Sequence, residues 1–200
     1  MQVVPDFVAF ERLYRAGRPQ CLATRLVSDL ETPVSAYLKL KALIGDQPSF
    51  LLESVEGGAV KGRHSIIGLR PDLIWRCRNG ASEIARDGDA FAPLPGKPLD
   101  ALRTILAESR IPDLENLPPM ASGVFGFMGY DMVREMERLA PAKPDLIGVP
   151  DALMIRPTLV LIFDNVRDEL VVVTPVFPNT ATGAKAAFED ALNRLDDVVA

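Results

Sequence analysis

The chain is poor in the residues that most often carry enzyme chemistry. It has one histidine, His64, and two cysteines, Cys21 and Cys77. A Ser-His-Asp arrangement would have to be built on that single imidazole, and no nucleophile-elbow pattern accompanies it. The plainer reading of His64 is a loop-edge residue beside Arg63. The cysteines stand apart, without the paired spacing of a zinc or redox site. Lys and Arg nowhere form a block and the formal net charge is −5, so the basic face that a nucleic-acid partner requires is missing. No apolar run approaches the roughly 18 residues of a membrane span. The longest, Leu159–Phe163, has the length of a buried strand. The first residues, MQVVPDFVAFERLYRAG, lack the basic start, apolar stretch and cleavage site of an export signal. Together these absences predict a cytoplasmic protein with reduced thiols and with neither nucleic acid nor membrane as partner.

What is present is ordinary globular material. Apolar residues make up 48% and charged residues 24% of 200 residues, enough for one large domain or two small ones with a substantial core. Phe7, Phe10, Leu13 and Tyr14 recur at helical spacing before Gly17, predicting a helix over 6–16. Cys21–Val27 reads as a strand. Thr32-Pro33 is an N-cap followed by proline at the first helical position, opening a helix that ends near Gly45. Ser49–Val55 reads as an apolar strand before the turn Glu56-Gly57-Gly58. Ser65–Leu69, Asp72–Cys77 and Ala81–Arg86 follow as three short strands, the last two joined by a hairpin at Asn79-Gly80. Residues 92–98, with three prolines, read as a connector.

Asp100–Ser109 is helical in pattern, Ile111–Pro119 a loop, Ser122–Phe127 a strand, Tyr130–Leu139 a charged helix and Ala140–Pro150 a loop. Ala152–Phe163 and Glu169–Val176 read as paired strands, and Thr182–Val199 as a helix with Ala186, Ala187, Ala191, Leu192 and Leu195 on one side. No fixed-period repeat is present. Runs of strands with single helices between them predict an α+β fold, a layered and mainly antiparallel sheet with helices. The chain stops at a helix with no motif cluster behind it, as a cut between domains or an ordinary last helix would.

Motifs for phosphate or metal chemistry are weak. In Gly123-Val-Phe-Gly126-Phe-Met-Gly129 the first two glycines are three apart, not two, and bulky apolar residues separate them. That argues against a dinucleotide loop and for close strand packing or a bulge. The acidic pairs Asp87/Asp89, Glu135/Glu137 and Asp196/Asp197 read as solvated surface. One segment is more suggestive. A buried strand ends in Leu52-Glu53-Ser54, a glycine loop follows, and Arg63 leads into the next strand. A polar strand end above an apolar floor suits a small zwitterion with an apolar side chain: Glu53 for its ammonium, Ser54 for a hydrogen bond, Arg63 for its carboxylate. The competing reading is an ordinary Glu53–Arg63 cross-strand pair with Ser54 starting a turn.

Four stretches in order give this segment a context: Thr32-Pro33-Val34-Ser35-Ala36-Tyr37, Leu51-Leu52-Glu53-Ser54, Arg63-His64-Ser65-Ile66-Ile67-Gly68, and Gly126-Phe127-Met128-Gly129-Tyr130-Asp131. They resemble, respectively, the TPVSAY helix start, the LLES strand, the RYSFIG-like strand and the GYxGYD turn of the amino-terminal region of anthranilate synthase component I, among the chorismate-utilising enzymes. The resemblance implies that residues 1–200 are that amino-terminal region, part of the chorismate-utilising fold, without the catalytic carboxy-terminal domain. The whole enzyme of that family is a lyase of tryptophan biosynthesis. It converts chorismate and ammonia to anthranilate and pyruvate with Mg²⁺, and takes ammonia from a glutamine amidotransferase subunit.

The resemblance places no catalytic residue, no metal ligand and no cofactor in this segment, which alone should be inactive; Mg²⁺ is expected in the missing domain. It does place the feedback site for L-tryptophan at the LLES strand. By position, Ser54 and Glu53 are the tryptophan-binding candidates, with Leu52 nearby and Arg63 a further candidate. Tyr130 and Asp131 receive no ligand role. Two alternatives stand beside this reading: the corresponding region of aminodeoxychorismate synthase component I, which shares the fold, and a stand-alone amino-acid-binding interaction module.

Overall fold

The computed structural model describes residues 2–53, 62–112, 114–140 and 146–199. The elements, in order, are β1 (Val3–Val4), α1 (Phe7–Arg15), β2 (Gln20–Val27), α2 (Pro33–Ile44), β3 (Phe50–Leu52), β4 (His64–Arg78), β5 (Ala81–Arg86), β6 (Ala92–Leu94), α3 (Pro98–Glu108), β7 (Phe125–Met128), β8 (Ala152–Asp164), β9 (Glu169–Val176) and α4 (Ala184–Val199). A 3₁₀ turn, Tyr130–Glu135, lies between β7 and β8. The chain divides into two compact units, one of residues 1–70, 110–122 and 157–200, the other of 71–109 and 123–156. The strand pairings whose register is known are all antiparallel, as an α+β layered fold requires.

In the first unit, β1 pairs with β2, β2 with β9 and β9 with β8, while β3 pairs with the start of β4. Both faces of this sheet are buried. Leu22, Ile67, Leu69, Leu159, Leu161, Phe163, Leu170 and Val172 point to one side, where Phe10 and Tyr14 of α1, Ala36, Leu40 and Ile44 of α2, and Ala187, Ala191 and Leu195 of α4 cover them. Their alternates Cys21, Ala23, Ile66, Val160, Ile162, Val171 and Val173 meet Ile111, Leu114, Leu117 and Ala121 of the loop after α3. Burial on two sides is why the strands read as unbroken apolar runs instead of alternating. The helices start where the sequence says. Asp6 caps α1 through Ala9, and Thr32 caps α2 in a reciprocal box with Ser35 that has proline next. The Tyr37 hydroxyl on α2 lies 3.1 Å from Ser49 Oγ, which anchors the approach to β3.

In the second unit, the later part of β4 pairs with β5 and β5 with β6, while β7 pairs with the start of β8. Leu73, Trp75 and Cys77 pack with Leu102 and Ile105 of α3, Met132 and Ala152. Arg156, only 9% exposed, grips Asp72 through Nε at 2.8 Å and Nη2 at 2.9 Å. The β4–β5 hairpin turns on Asn79 and Gly80 at φ 47° and 73°, the left-handed pair such a two-residue turn demands.

Three expectations need correction. Ser65–Leu69 and Asp72–Cys77 are one strand, β4, that passes Arg70 at φ 50° and Pro71. Arg70 is held there by the Thr158 hydroxyl on its carbonyl at 2.7 Å and by Asp197 on its guanidinium at 2.6 Å. The connector over 92–98 contains β6, whose Ala92, Pro93 and Leu94 pair with β5; an outer strand tolerates proline because its N–H need not bond inward. The helix over Tyr130–Leu139 is a 3₁₀ turn ending at Glu135, with only Met132 buried. The strand over Ser49–Val55 is seen as Phe50–Leu52, and Ser54, Val55 and the Glu56-Gly57-Gly58 turn lie outside the described residues.

Candidate functional site

The site begins with β3, a three-residue strand. Phe50 pairs with Gly68 and lays its ring so closely over it that a Cβ there would sit 2.1 Å from the ring. Any larger residue at position 68 would therefore have to push the Phe50 ring aside. Leu52, opposite Ile66, is half exposed, and Glu53, the next residue, is exposed. The strand thus presents an apolar and an acidic side chain at its end. Ser54 lies outside the described residues.

Arg63 is where the bland reading fails. It does not pair with Glu53. Its Nε lies 3.0 Å from each carboxylate oxygen of Asp164, and Nη2 lies 2.5 Å from Oδ2. Asp164 closes β8 and is 4% exposed. It also accepts the backbone N–H groups of Val166 and Arg167 at 3.1 and 3.3 Å. The Arg63 guanidinium, outweighing the cost of burial, holds the Asp164 carboxyl down at about 2, with the two N–H groups helping. In return Asp164 raises the pKa of Arg63. The Arg63 carbonyl accepts the N–H of Asn165 at 2.9 Å, so backbone and side chain both tie this segment to the β8–β9 turn. His64 Nε2 stands 3.6 Å from the same carboxylate, a neighbour of the ion pair and not part of a nucleophilic triad.

Arg63, His64 and Asp164 line a cleft of about 400 Å³ whose other walls are Arg25, Arg167, Glu169 and residues 115–119. Both terminal nitrogens of Arg25 are engaged, Nη1 on Glu169 at 2.6 Å and Nη2 on the Asn116 carbonyl at 2.8 Å. A second cleft, about 290 Å³ and mostly apolar, lies among Val4, Pro5, Leu13, Cys21, Pro112 and Leu114. Of the four sequence candidates, the three among the described residues fall into two groups: Leu52 and Glu53 at the end of β3, and Arg63 in the polar cleft. The sequence reading missed Asp164, although a carboxylate ending the apolar run Leu159–Phe163 repeats the pattern that drew attention to Glu53. Cys21 and Cys77 are both free and buried. Among the described residues no three His, Cys, Asp or Glu side chains gather closely enough to hold a metal ion, and no helix is long and apolar enough to cross a membrane.

Gly126 and Gly129 serve packing, whereas Gly123 takes a left-handed φ of 146° in open space. A Cβ on Gly126 would lie 1.9 Å from the Leu153 carbonyl oxygen, and one on Gly129 would lie 3.0 Å from that of Asp151. Tyr130 is exposed, and Asp131 pairs with Arg134 at 2.8 Å.

No family model matches the chain. Anthranilate synthase component 1 of Cereibacter sphaeroides is 45% identical to it over 198 residues, 97% of this chain and 39% of that protein. The chain is homologous to anthranilate synthase component I. The proteins of that name from Thermus thermophilus and Mycolicibacterium smegmatis are 42% identical over 153 residues and 36% over 190. The chain spans under two fifths of the length of each, 30% and 36% for the latter two. In fold, it matches the crystal structure of anthranilate synthase component I from Streptococcus pneumoniae with a TM-score of 0.52 and 22% identity, over 88% of this chain and 37% of that one.

Proposed function

We propose that this chain is the amino-terminal, tryptophan-sensing part of an anthranilate synthase large subunit, the cytoplasmic lyase that makes anthranilate and pyruvate from chorismate and ammonia. The carrying observation is similarity to anthranilate synthase component 1 along 97% of the chain. The form of the β3 end supports the sensing role. An exposed acid, Glu53, follows a half-exposed leucine on a strand braced by Tyr37 and Gly68, and Arg63 nearby in sequence offers a cation for a carboxylate. An acid beside an apolar side chain at the β3 end suits an amino acid with an apolar side chain better than chorismate, which has no ammonium to match Glu53.

In this reading the segment performs no chemistry. Chorismate and Mg²⁺ bind a carboxy-terminal domain, and a glutamine amidotransferase subunit supplies ammonia. Tryptophan contacts both the β3 end and that domain, so it stabilises one arrangement of the two. Inhibition follows because that arrangement binds chorismate less well, and by linkage chorismate must weaken tryptophan to the same degree.

The test is anthranilate formation from chorismate and ammonium by the full-length gene product, titrated with L-tryptophan. Activity that tryptophan suppresses, and that escapes suppression in Ser54→Phe, supports the reading. Activity equally suppressed in that variant removes Ser54 from the site. A 4-amino-4-deoxychorismate product in place of anthranilate would assign the chain to the sister enzyme.

A further inference from the structure

The Arg63–Asp164 pair is built in a way that a simple structural ion pair does not need. A guanidinium has two edges able to hold a carboxylate through two parallel hydrogen bonds, Nε–Nη2 and Nη1–Nη2. Asp164 takes the first, by Nε at 3.0 Å and Nη2 at 2.5 Å. Nη1 has no partner among the described residues. The Arg63 side chain stays 40% exposed while Asp164 is 4% exposed, so the acid is the fixed member and the arginine the presented one. Asp164 is itself fixed, by the Val166 and Arg167 N–H groups. Three arginines line the cleft of about 400 Å³. Arg25 has both terminal nitrogens engaged, and Arg167 stands on an exposed turn. Among the described residues, Arg63 alone of the three combines an edge without a partner with a buried acid that sets its orientation.

We infer that Asp164 is a positioning residue: it holds Arg63 so that the Nη1–Nη2 edge takes the carboxylate of an amino-acid ligand. The inference rests on the reading of Arg63 as part of an amino-acid site. It adds a residue 101 positions away in sequence that touches the arginine and not the ligand. A planar fork loses its advantage if it can swivel. Removing the Asp164 charge should therefore cost the carboxylate contact while sparing the contacts to side chain and ammonium.

The experiment measures binding of L-tryptophan and of L-tryptophanamide, which keeps ring and ammonium but lacks the carboxylate, to the full-length protein by calorimetry. Wild type is expected to prefer tryptophan by about tenfold or more, the usual weight of a charge-assisted hydrogen-bond pair. Asp164→Asn should lose most of that preference with tryptophanamide affinity unchanged. Arg63→Lys, which keeps the charge beside Asp164 but has no second edge, should do the same, and it serves if Asp164→Asn fails to fold. Equal weakening of both ligands in Asp164→Asn would make the residue merely structural and overturn the inference. So would an undiminished preference in both variants; if Ser54→Phe still abolished tryptophan binding, the proposed function would survive that result. No tryptophan binding by wild type would sink both.

Discussion

Gly126→Ala tests the packing logic of the second unit. Gly126 pairs with Met154 in the β7–β8 ladder. A methyl group there would lie 1.9 Å from the Leu153 carbonyl oxygen and 2.9 Å from Leu153 C and Met154 Cα. All three are backbone atoms, so no rotamer change relieves the clash, and Ala152 and Ile155 beside them are buried. The strands would have to part by about 1 Å, enough to break hydrogen bonds that begin near 2.9 Å. Overpacking of this kind costs about 1–3 kcal/mol, and one or two lost ladder bonds add about 1 kcal/mol each. The alanine recovers only about 0.5–1 kcal/mol through the unfolded chain. The expected net loss is roughly 2–3 kcal/mol, a large share of a typical 5–15 kcal/mol stability.

Urea unfolding followed by the fluorescence of Trp75, the sole tryptophan and fully buried in the same unit, reads this directly. Gly183→Ala, where an added Cβ meets nothing within 4 Å, is the control and should stay within about 0.5 kcal/mol. A Gly126→Ala midpoint equal to that of the control would refute the reasoning.

Arg156→Ala should cost about 3 kcal/mol, because it strands the Asp72 carboxylate that now takes two guanidinium bonds; a loss under 1 kcal/mol in the same unfolding assay would contradict this. Asp164, held at about 2, lies below the ordinary carboxylate value of about 4, so its pair stabilises the fold above that value and fades as pH falls from about 4 to about 2. An acid titration should therefore show a stability slope in that window that Asp164→Asn lacks, and identical slopes would count against it. Burial pushes the Cys21 thiol up to about 12 and, with Glu135 and Asp151 adding negative charge, the Cys77 thiol up to about 11. A thiol reagent at pH 8 should label neither in the folded protein within minutes and both after denaturation.

Local signals were legible where a residue's own backbone chemistry decides the outcome. Thr32-Pro33 and Asn79-Gly80 are examples, since capping oxygen, fixed φ and left-handed tolerance act within four residues. Two strand readings were too short: the break between Leu69 and Asp72, and the proline-bearing connector over 92–98, where tertiary bonds carry β4 through the first and an outer position accommodates Pro93 in the second. Residues 130–139 misled differently: charges at helical spacing satisfied each other locally, as in Asp131–Arg134, but supplied no apolar stripe to bury. The site was half legible. The strand ending in Leu52-Glu53 announced itself by an abrupt change of polarity, whereas the partner of Arg63 comes from 101 residues away and is set by sheet topology, which no local pattern carries.

Tryptophan recognition draws on residues of this chain in the proposed function, and titrating L-tryptophan into the 200-residue protein and into the full-length gene product, with D-tryptophan as the control, tests it most directly. A stereoselective heat, weakened by Ser54→Phe and by Glu53→Gln, is the predicted result. No heat from this chain and none from the full-length gene product would contradict the sensing role.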